Sequence, residues 1–446
     1  MGIINDFLSI LSGVGKKDSP MSLSPGAIPS YLSWGLRFIL NSTSSRFERI
    51  SKNIFYLAKY SKDLTEKIRN SEEFSYEEST EGTLKLFREA ERLQKAIDLS
   101  NRIYGESNSI EVLNQKQTIE LEPALNKVRR GLVGAIHYKD DEIGDAYKFC
   151  KSLEESIRNK GGRILVNTNI KKILLNKRKV NSVVTDRAVL RAKRVVICAG
   201  SWSPIILKEL GLKIPVKPVK GYSLTYSTAG LKNTPNLSVI DESIHIAITP
   251  YKNRIRVAGT AEFVGFNDEV HPKRITYLNS KLNEVYPSLF SKVQGDEDTQ
   301  VWFGFRPMSA DGLPFIGETK IEGLYLNTGH GHLGWTLAMG SANLLADQMI
   351  NEETEIESLT ERQVLRSINA NCNSPISVYA KITENMISLK CEIFDHDGSK
   401  IFSKQIEDVK NRYLKIATTL SETILNDIGQ DKINKLDELN DFDYTP

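Results

Sequence analysis

The period of the apolar positions changes several times along this chain, and each change marks an element. Residues 28–64 carry apolar side chains every three to four positions, the spacing of one helical face, with an interruption at 41–45 where Asn41, Ser42, Thr43, Ser44 and Ser45 gather. The same spacing predicts a helix over 85–99. Residues 131–145 read as a strand followed by a helix cap, and 146–159 as an amphipathic helix that Gly161-Gly162 ends. The pattern then shortens, predicting strands at 163–167, 170–176, 179–185 and 194–198. The last of these belongs to the run RVVICAG, apolar until Gly200, which is the signature of a parallel strand covered on both faces, so Cys198 is expected in the core. Alternating strands return at 221–226, 244–250 and 254–258, followed by a helix over 272–286.

The densest signal lies between residues 302 and 350. A short strand is expected at 324–327 and a helix at 335–350, with Gly329, Gly331 and Gly334 between them in GxGxxG spacing. Gly340, Ser341 and Ala342 allow close packing of that helix. The helix start offers unpaired N–H groups and partial positive charge to phosphate, or to any oxygen that becomes anionic. A dinucleotide fingerprint, however, belongs to a complete βαβ unit with an acidic residue ending its second strand, and NEETEIESLT after Ile350 holds no such strand.

Arg306-Pro307, Asp311-Gly312-Leu313-Pro314, Gly317 and the run Gly329-His330-Gly331-His332-Leu333-Gly334-Trp335-Thr336 together resemble the C-terminal signature of FAD-dependent D-amino acid dehydrogenases, in the D-amino acid oxidase superfamily. The resemblance implies that the second glycine loop caps the pyrimidine edge of FAD, where a helix N-terminus suits the charge a reduced flavin gathers. It further implies that the turn at Gly200 lies beside FAD, that the Ile170 position contacts its adenosine part, and that Arg306 binds the substrate carboxylate through a bidentate fork. Residues 216–305 resemble the antiparallel substrate domain of the family. Tyr222, His245 and Trp302 are candidates for its pocket, each also readable as an ordinary sheet residue. The family's chemistry is direct hydride transfer, so no catalytic His or Asp is required. The implied substrate is a D-amino acid, the implied products a 2-oxo acid and ammonia, and the implied electron acceptor of quinone type.

The resemblance begins around residues 18–40 and runs to about 357. The family's opening strand, GxGxxG, helix, strand and acidic residue have no counterpart: Gly13-Val14-Gly15 is followed by Lys16, Lys17 and Asp18 and reads as a helix end and turn. The missing βαβ unit, about 30 residues long, would carry the pyrophosphate site. The chain alone is therefore expected to hold FAD weakly, with a separate chain as the implied source of that unit.

Residues 359–433 resemble an unrelated family, the C-terminal domain of hydroxymethylbilane synthase, also called porphobilinogen deaminase. The matching runs are LTERQVLRSINANCNSPISVYA and ISLKCEIFDHDGSKIF, followed by a helix over 411–428. Cys372 falls on the cysteine that holds the family's dipyrromethane cofactor, but Asn373-Ser374-Pro375 replaces the usual Gln-Val-Pro. The expected fold class is thus α/β, a truncated FAD-binding oxidoreductase with an antiparallel substrate domain, then a small α+β domain. The expected boundaries are 1–357 and 358–446, the first divided into a flavin part (131–214 and 306–357) and a substrate part (28–130 and 215–305). The competing readings are a tetrapyrrole-pathway protein acting through the C-terminal domain, and an inactive fusion or split-enzyme subunit.

Composition narrows the field in three places. With 59 basic and 56 acidic residues and a formal charge of +3, the chain lacks the excess expected of a dedicated nucleic-acid binder. Its four cysteines, Cys150, Cys198, Cys372 and Cys391, are widely spaced, without a metal-binding CxxC pair, which fits a reducing compartment, and the expected location is cytoplasmic. No apolar run reaches the length of a membrane span, and MGIINDFLSILSGV lacks the basic start and cleavage site of a secretion signal. Peripheral attachment at the inner face of a membrane is the alternative placement.

Overall fold

The computed structural model describes residues 19–70, 74–104, 109–128, 131–241, 243–350, 352–370, 374–395 and 397–438. It divides into two compact units, Met1–Ala342 and Asn343–Pro446.

The first unit is built on a nine-stranded sheet. Its order is Gln300–Ser309, Val216–Ser227, Arg254–Phe263, Ile246–Tyr251, Ser238–Asp241, Thr83–Phe87, Gly134–Tyr138 and Ile110–Asn114, with Met21–Leu23 parallel to the outer part of Arg254–Phe263. Apart from that pair and Ser238–Asp241 against Thr83–Phe87, the ladders are antiparallel. Leu84, Leu86, Leu224, Val239, Ile248 and Val257 are fully buried and pack with Leu278, Leu282 and Val285 of the helix Pro272–Val285. Strand Val216–Ser227 is buried along nearly its whole length, so its side chains are apolar or paired on both faces rather than alternating. A second, three-stranded sheet runs Phe315–Glu318, Leu324–Thr328, Val195–Ile197, and a third runs Ile170–Asn176, Lys179–Thr185, Val189–Arg191.

Several expected elements are found at their predicted places: the two helices Ile28–Asn41 and Ser44–Arg69, the helix Ala146–Asn159, and the strands Ile170–Asn176 and Lys179–Thr185. Asp145 caps Ala146–Asn159, accepting from the amides of Tyr147 and Lys148 at 3.0 and 3.2 Å. Its other oxygen accepts from Arg254 at 3.0 Å and Arg256 at 3.3 Å, which fastens the helix start to the large sheet.

Three expectations are corrected, and one strand appears that the sequence reading did not name. Residues 85–99 are not one helix: Thr83–Phe87 is a strand and the helix is Ala90–Tyr104. Pairing on both edges, with Ser238–Asp241 and Gly134–Tyr138, overrides the local period there. Residues 163–167 form no strand; with no ladder partner, Leu165 and Val166 stay 48% and 59% exposed. The strand expected at 194–198 shortens to Val195–Ile197, pairs on one side only, and leaves Cys198 exposed instead of in the core. Lastly, Gln300–Ser309 is a strand that its Gly304 and Pro307 disguise. It lies at the edge of the large sheet, where a residue without an N–H is tolerated.

The second unit holds an antiparallel sheet of Ile376–Thr383, Met386–Phe394 and Lys400–Val409 and the helices Glu352–Ser367, Tyr413–Ile428 and Gln430–Glu438. Ile387, Leu389, Cys391 and Ile393 alternate along the central strand and are fully buried against Val364, Ile416, Leu420 and Ile424. Burial, with Glu392 adding to it, pushes the Cys391 thiol up to about 12. Glu361 and Glu357, one turn apart on their helix, accept from the amides of Ala380 and Ile382 at 2.8 and 2.6 Å, which occupies part of the sheet edge that would otherwise recruit another strand.

Candidate active site

Gln300–Ser309 pairs with Val216–Ser227 over its full length, from Gln300↔Thr225 to Ser309↔Val216. Arg306 and Met308, two residues apart on the strand, line a cavity of about 450 Å³. Its apolar walls come from Trp34 and Phe38 of helix Ile28–Asn41 and from Phe263 of Arg254–Phe263, and its polar groups from Arg306, His245, His332 and Thr260. The helix is pinned to the sheet by two side chains: Trp34 Nε1 donates to the Met308 carbonyl at 3.0 Å, and the Tyr31 hydroxyl donates to the Pro218 carbonyl at 2.5 Å. Among the described residues no carboxylate lines the cavity. The Arg306 guanidinium donates to the Thr260 carbonyl at 2.8 Å, and burial alone lowers its pKa from the usual arginine value.

A second cavity, of about 460 Å³, adjoins the first at Phe38, Met308 and His332. One side is apolar, with Phe47, Ile50, Ile54, Phe55 and Ile103. The other is the glycine turn: Gly331–Leu333 coils tightly and leads into helix Gly334–Ile350, with His330, Gly331, His332, Leu333 and Thr336 on the cavity wall. Gly331 sits at φ +59, and a Cβ there would lie 2.9 Å from the Met308 sulfur, so only glycine brings the backbone this close. His330 Nε2 lies 3.1 Å from the Ser341 hydroxyl, which ties the turn to its own helix. Ser309, on the same wall, is 2% exposed, and its hydroxyl has no hydrogen-bond partner among the described residues. The His332 ring reaches cavity space from both sides; desolvation by those walls and then the Arg306 charge lower its pKa.

The structure thus gathers Arg306, His330, Gly331, His332, Leu333 and Thr336 around two adjoining cavities. Gly329 is buried under Phe315 and Val216, and Gly334 opens the helix. Gly200 lies behind Arg306: its carbonyl accepts from Thr328 Oγ1 at 3.1 Å, and the next residue, Ser201, donates to the Phe305 carbonyl at 3.2 Å. Trp335 stands outside both cavities, its ring 5.8 Å from that of Tyr76 and 5.2 Å from that of Phe149. Ile170 is exposed at the start of the third sheet. Of the pocket candidates, His245 lines the first cavity. Tyr222 is core, donating to Glu262 at 2.9 Å, and Trp302 is 64% exposed away from it. Cys372 lies outside the described residues. Sequence reasoning passed over Trp34, Phe38, Phe263, Met308 and Thr260; the spacing of Tyr31, Trp34 and Phe38 on one helical face was the available signal.

Comparison with known proteins gives two family matches. A model described as FAD dependent oxidoreductase matches residues 23–348, and one described as porphobilinogen deaminase, C-terminal domain, matches residues 356–426. The D-amino acid dehydrogenase of Vibrio cholerae serotype O1 (strain M66-2) is 37% identical over 345 residues, 77% of this chain and 81% of the relative. That of Rhizobium johnstonii is 38% identical over 343 residues, again 77% and 81%. Among solved structures, glycine oxidase from Bacillus cereus ATCC 14579 matches with a TM-score of 0.59 and 25% identity over 66% of this chain and 80% of that one.

Proposed function

The chain belongs to the FAD-dependent oxidoreductase family through residues 23–348, and from that premise we propose that it takes part in the oxidation of D-amino acids to imino acids, which water converts to 2-oxo acids and ammonia. One observation carries the reading: Arg306 stands in a largely apolar cavity with no acid among the described residues to neutralise it, immediately beside a second cavity walled by a glycine turn and a helix start. FAD, when bound, supplies the acceptor for the hydride that leaves the substrate Cα. Arg306 holds the substrate carboxylate and so fixes the direction of the Cα–H bond. Trp34, Phe38 and Phe263 receive the side chain and exclude water. His332, its pKa lowered, stays neutral at pH 7 and adds no second positive charge beside Arg306.

The second cavity fits the ring end of FAD. The bare backbone at Gly331, the start of helix Gly334–Ile350 and the unpartnered Ser309 hydroxyl are the groups that would meet its polar edge. For the pyrophosphate the described residues offer no comparable glycine loop. We assign it to a further βαβ unit that adds a strand to the edge of Val195–Ile197 left open among the described residues. Trp202, five residues beyond that strand, packs against Phe266 at 5.1 Å, and the two remain 49% and 41% exposed, apolar surface that a further unit would cover. The test is Arg306→Leu in the reconstituted protein. D-amino acid turnover at low substrate should fall by about 10² to 10³-fold with flavin content unchanged, since a desolvated carboxylate without its cation costs about 3–5 kcal/mol. Unaltered kinetics would remove Arg306 from the site.

A cytoplasmic protein delivering electrons to a quinone-type acceptor would meet the membrane at its surface, since no helix among the described residues is long and apolar enough to cross one. Ile28, Leu32, Leu36 and Leu40, four residues apart and all exposed on helix Ile28–Asn41, form an apolar stripe suited to that contact. Co-sedimentation with lipid vesicles, abolished by Leu32→Glu with Leu36→Glu, checks it. A tetrapyrrole role rests on the match over residues 356–426. That unit's described cavity sets two acids, Asp395 and Asp431, beside Lys432 and Lys435, not the basic lining that a polymerising substrate rich in carboxylates would need.

A further inference from the structure

We propose that Gly221 and Thr260 are positioning residues that hold the Arg306 guanidinium in place before a carboxylate arrives; the inference rests on the reading of Arg306 as the carboxylate receptor. Two features of neighbouring strands carry it. On Val216–Ser227, Arg306 pairs with Val219, while Gly221 stands opposite Gly304. The Arg306 side chain folds back over Gly221, where a Cβ would lie 2.3 Å from both Nη1 and Nη2 and 2.4 Å from Cζ. The guanidinium therefore lies against bare backbone that any side chain would displace. On Arg254–Phe263, pairing with Val216–Ser227 is regular from Arg254↔Ser227 to Gly259↔Tyr222 and then shifts before Glu262↔Lys220. Thr260 occupies that bulge at φ +63, a region a β-branched residue rarely enters. Its carbonyl accepts from Nη1 at 2.8 Å.

The guanidinium is thus held on one face by Gly221 and at one corner by the Thr260 carbonyl. Among the described residues that single N–H has a protein acceptor, which leaves the others for a ligand. An arginine ordered in advance does not lose rotamer freedom on binding, so the cradle raises carboxylate affinity and fixes its orientation. The backbone of Thr260 does the holding, and its hydroxyl makes no hydrogen bond.

A double-mutant cycle on the full chain tests the cradle without relying on turnover. Gly221→Ala should lower the melting temperature by a few degrees in the parent background, because the new methyl collides with the guanidinium, and have little effect beside Arg306→Ala, which vacates the space. In parallel, D-leucine binding, followed by tryptophan fluorescence, should weaken at least tenfold in Gly221→Ala, and Gly221→Ala should add nothing to the loss in Arg306→Ala. Thr260→Pro, whose ring cannot adopt φ +63, should move the carbonyl off Nη1 and weaken D-leucine binding as Gly221→Ala does, and unaltered D-leucine binding in it would remove Thr260 from the cradle. Equal thermal losses in both backgrounds, up to unfolding in both, overturn the cradle. D-leucine binding that Arg306→Ala leaves intact overturns instead the substrate reading on which the inference rests.

Discussion

Arg306 shows how the meaning of one side chain depends on what surrounds it. The same guanidinium on the surface would be one more solvated charge. Here it has no acidic partner among the described residues and shares a cavity with Trp34, Phe38 and Phe263, so a carboxylate that enters gains a charge-assisted pair in a partly desolvated space. The cavity's composition also sets a preference. Among the described residues no acid lines it to receive a second cation, and the Arg306 charge repels a side-chain ammonium. We expect D-leucine and D-methionine to be oxidised with kcat/KM at least about tenfold above that for D-lysine, a difference worth about 1.4 kcal/mol. A preference for D-lysine in side-by-side assays would contradict this account of the cavity.

Elements hold the site through a few polar joints. Asp145 is such a joint, capping Ala146–Asn159 while bonding Arg254 and Arg256 on the large sheet, and it is 2% exposed. Burial works against its charge, but the Lys148 amide, Arg256 and Arg254 outweigh it, and the pKa falls below the ordinary 3.8. A carboxylate whose pKa is lower folded than unfolded adds stability above pH 3.8, and that stability fades as pH falls through the lower, folded value. Asp145→Ala should cost about 1–3 kcal/mol at neutral pH from the lost cap and the stranded arginines, with the gap to the parent closing in acid. Parallel denaturant melts at pH 7 and pH 3 measure this, and a constant gap would show that the charge does not matter. Helix spacing at 146–159 and alternation at 170–185 were legible because those elements answer mainly to their own faces. Thr83–Phe87 was not, since its strand character comes from two partners far away in sequence.

For the whole molecule, the division into Met1–Ala342 and Asn343–Pro446 sets what each part can do alone. The first unit holds an arginine cavity and a ring-sized cavity, with a strand edge at Val195–Ile197 paired on one side only. Purified alone, the chain should show little bound flavin after dialysis, because the described residues offer no glycine loop for the pyrophosphate. Its visible spectrum reports this directly, and stoichiometric flavin absorption would show that the chain needs no further unit. The second unit has its own buried core, and its described cavity sets Lys432 and Lys435 beside Asp395 and Asp431, a balance of charge that does not suit the several carboxylates of a tetrapyrrole precursor. Cys372 should therefore remain a free thiol. Intact-mass measurement of protein from a host that makes tetrapyrroles should give the bare polypeptide, and an adduct of dipyrromethane size on Cys372 would make the tetrapyrrole role the leading one.

Sequence alone determined what depends on local order: the helices at 28–41, 44–69 and 146–159, the strand, glycine turn and helix at 324–350, and the RP and GHGHLGWT motifs that point to an FAD-dependent oxidoreductase. The runs LTERQVLRSINANCNSPISVYA and ISLKCEIFDHDGSKIF likewise pointed to the family matched over residues 356–426. Tertiary structure decided the rest, because it arises between strands that lie far apart in the chain. Pro307 concealed the strand that carries Arg306 until its place at a sheet edge removed the need for an N–H. Exposure of Cys198 followed from a strand with one neighbour, which no local pattern reports. The contact between Arg306 and Gly221, and the bulge that turns Thr260 onto the same guanidinium, depend on the register of three strands spanning residues 216–309. A register is a property of pairing, and one strand's sequence does not contain it.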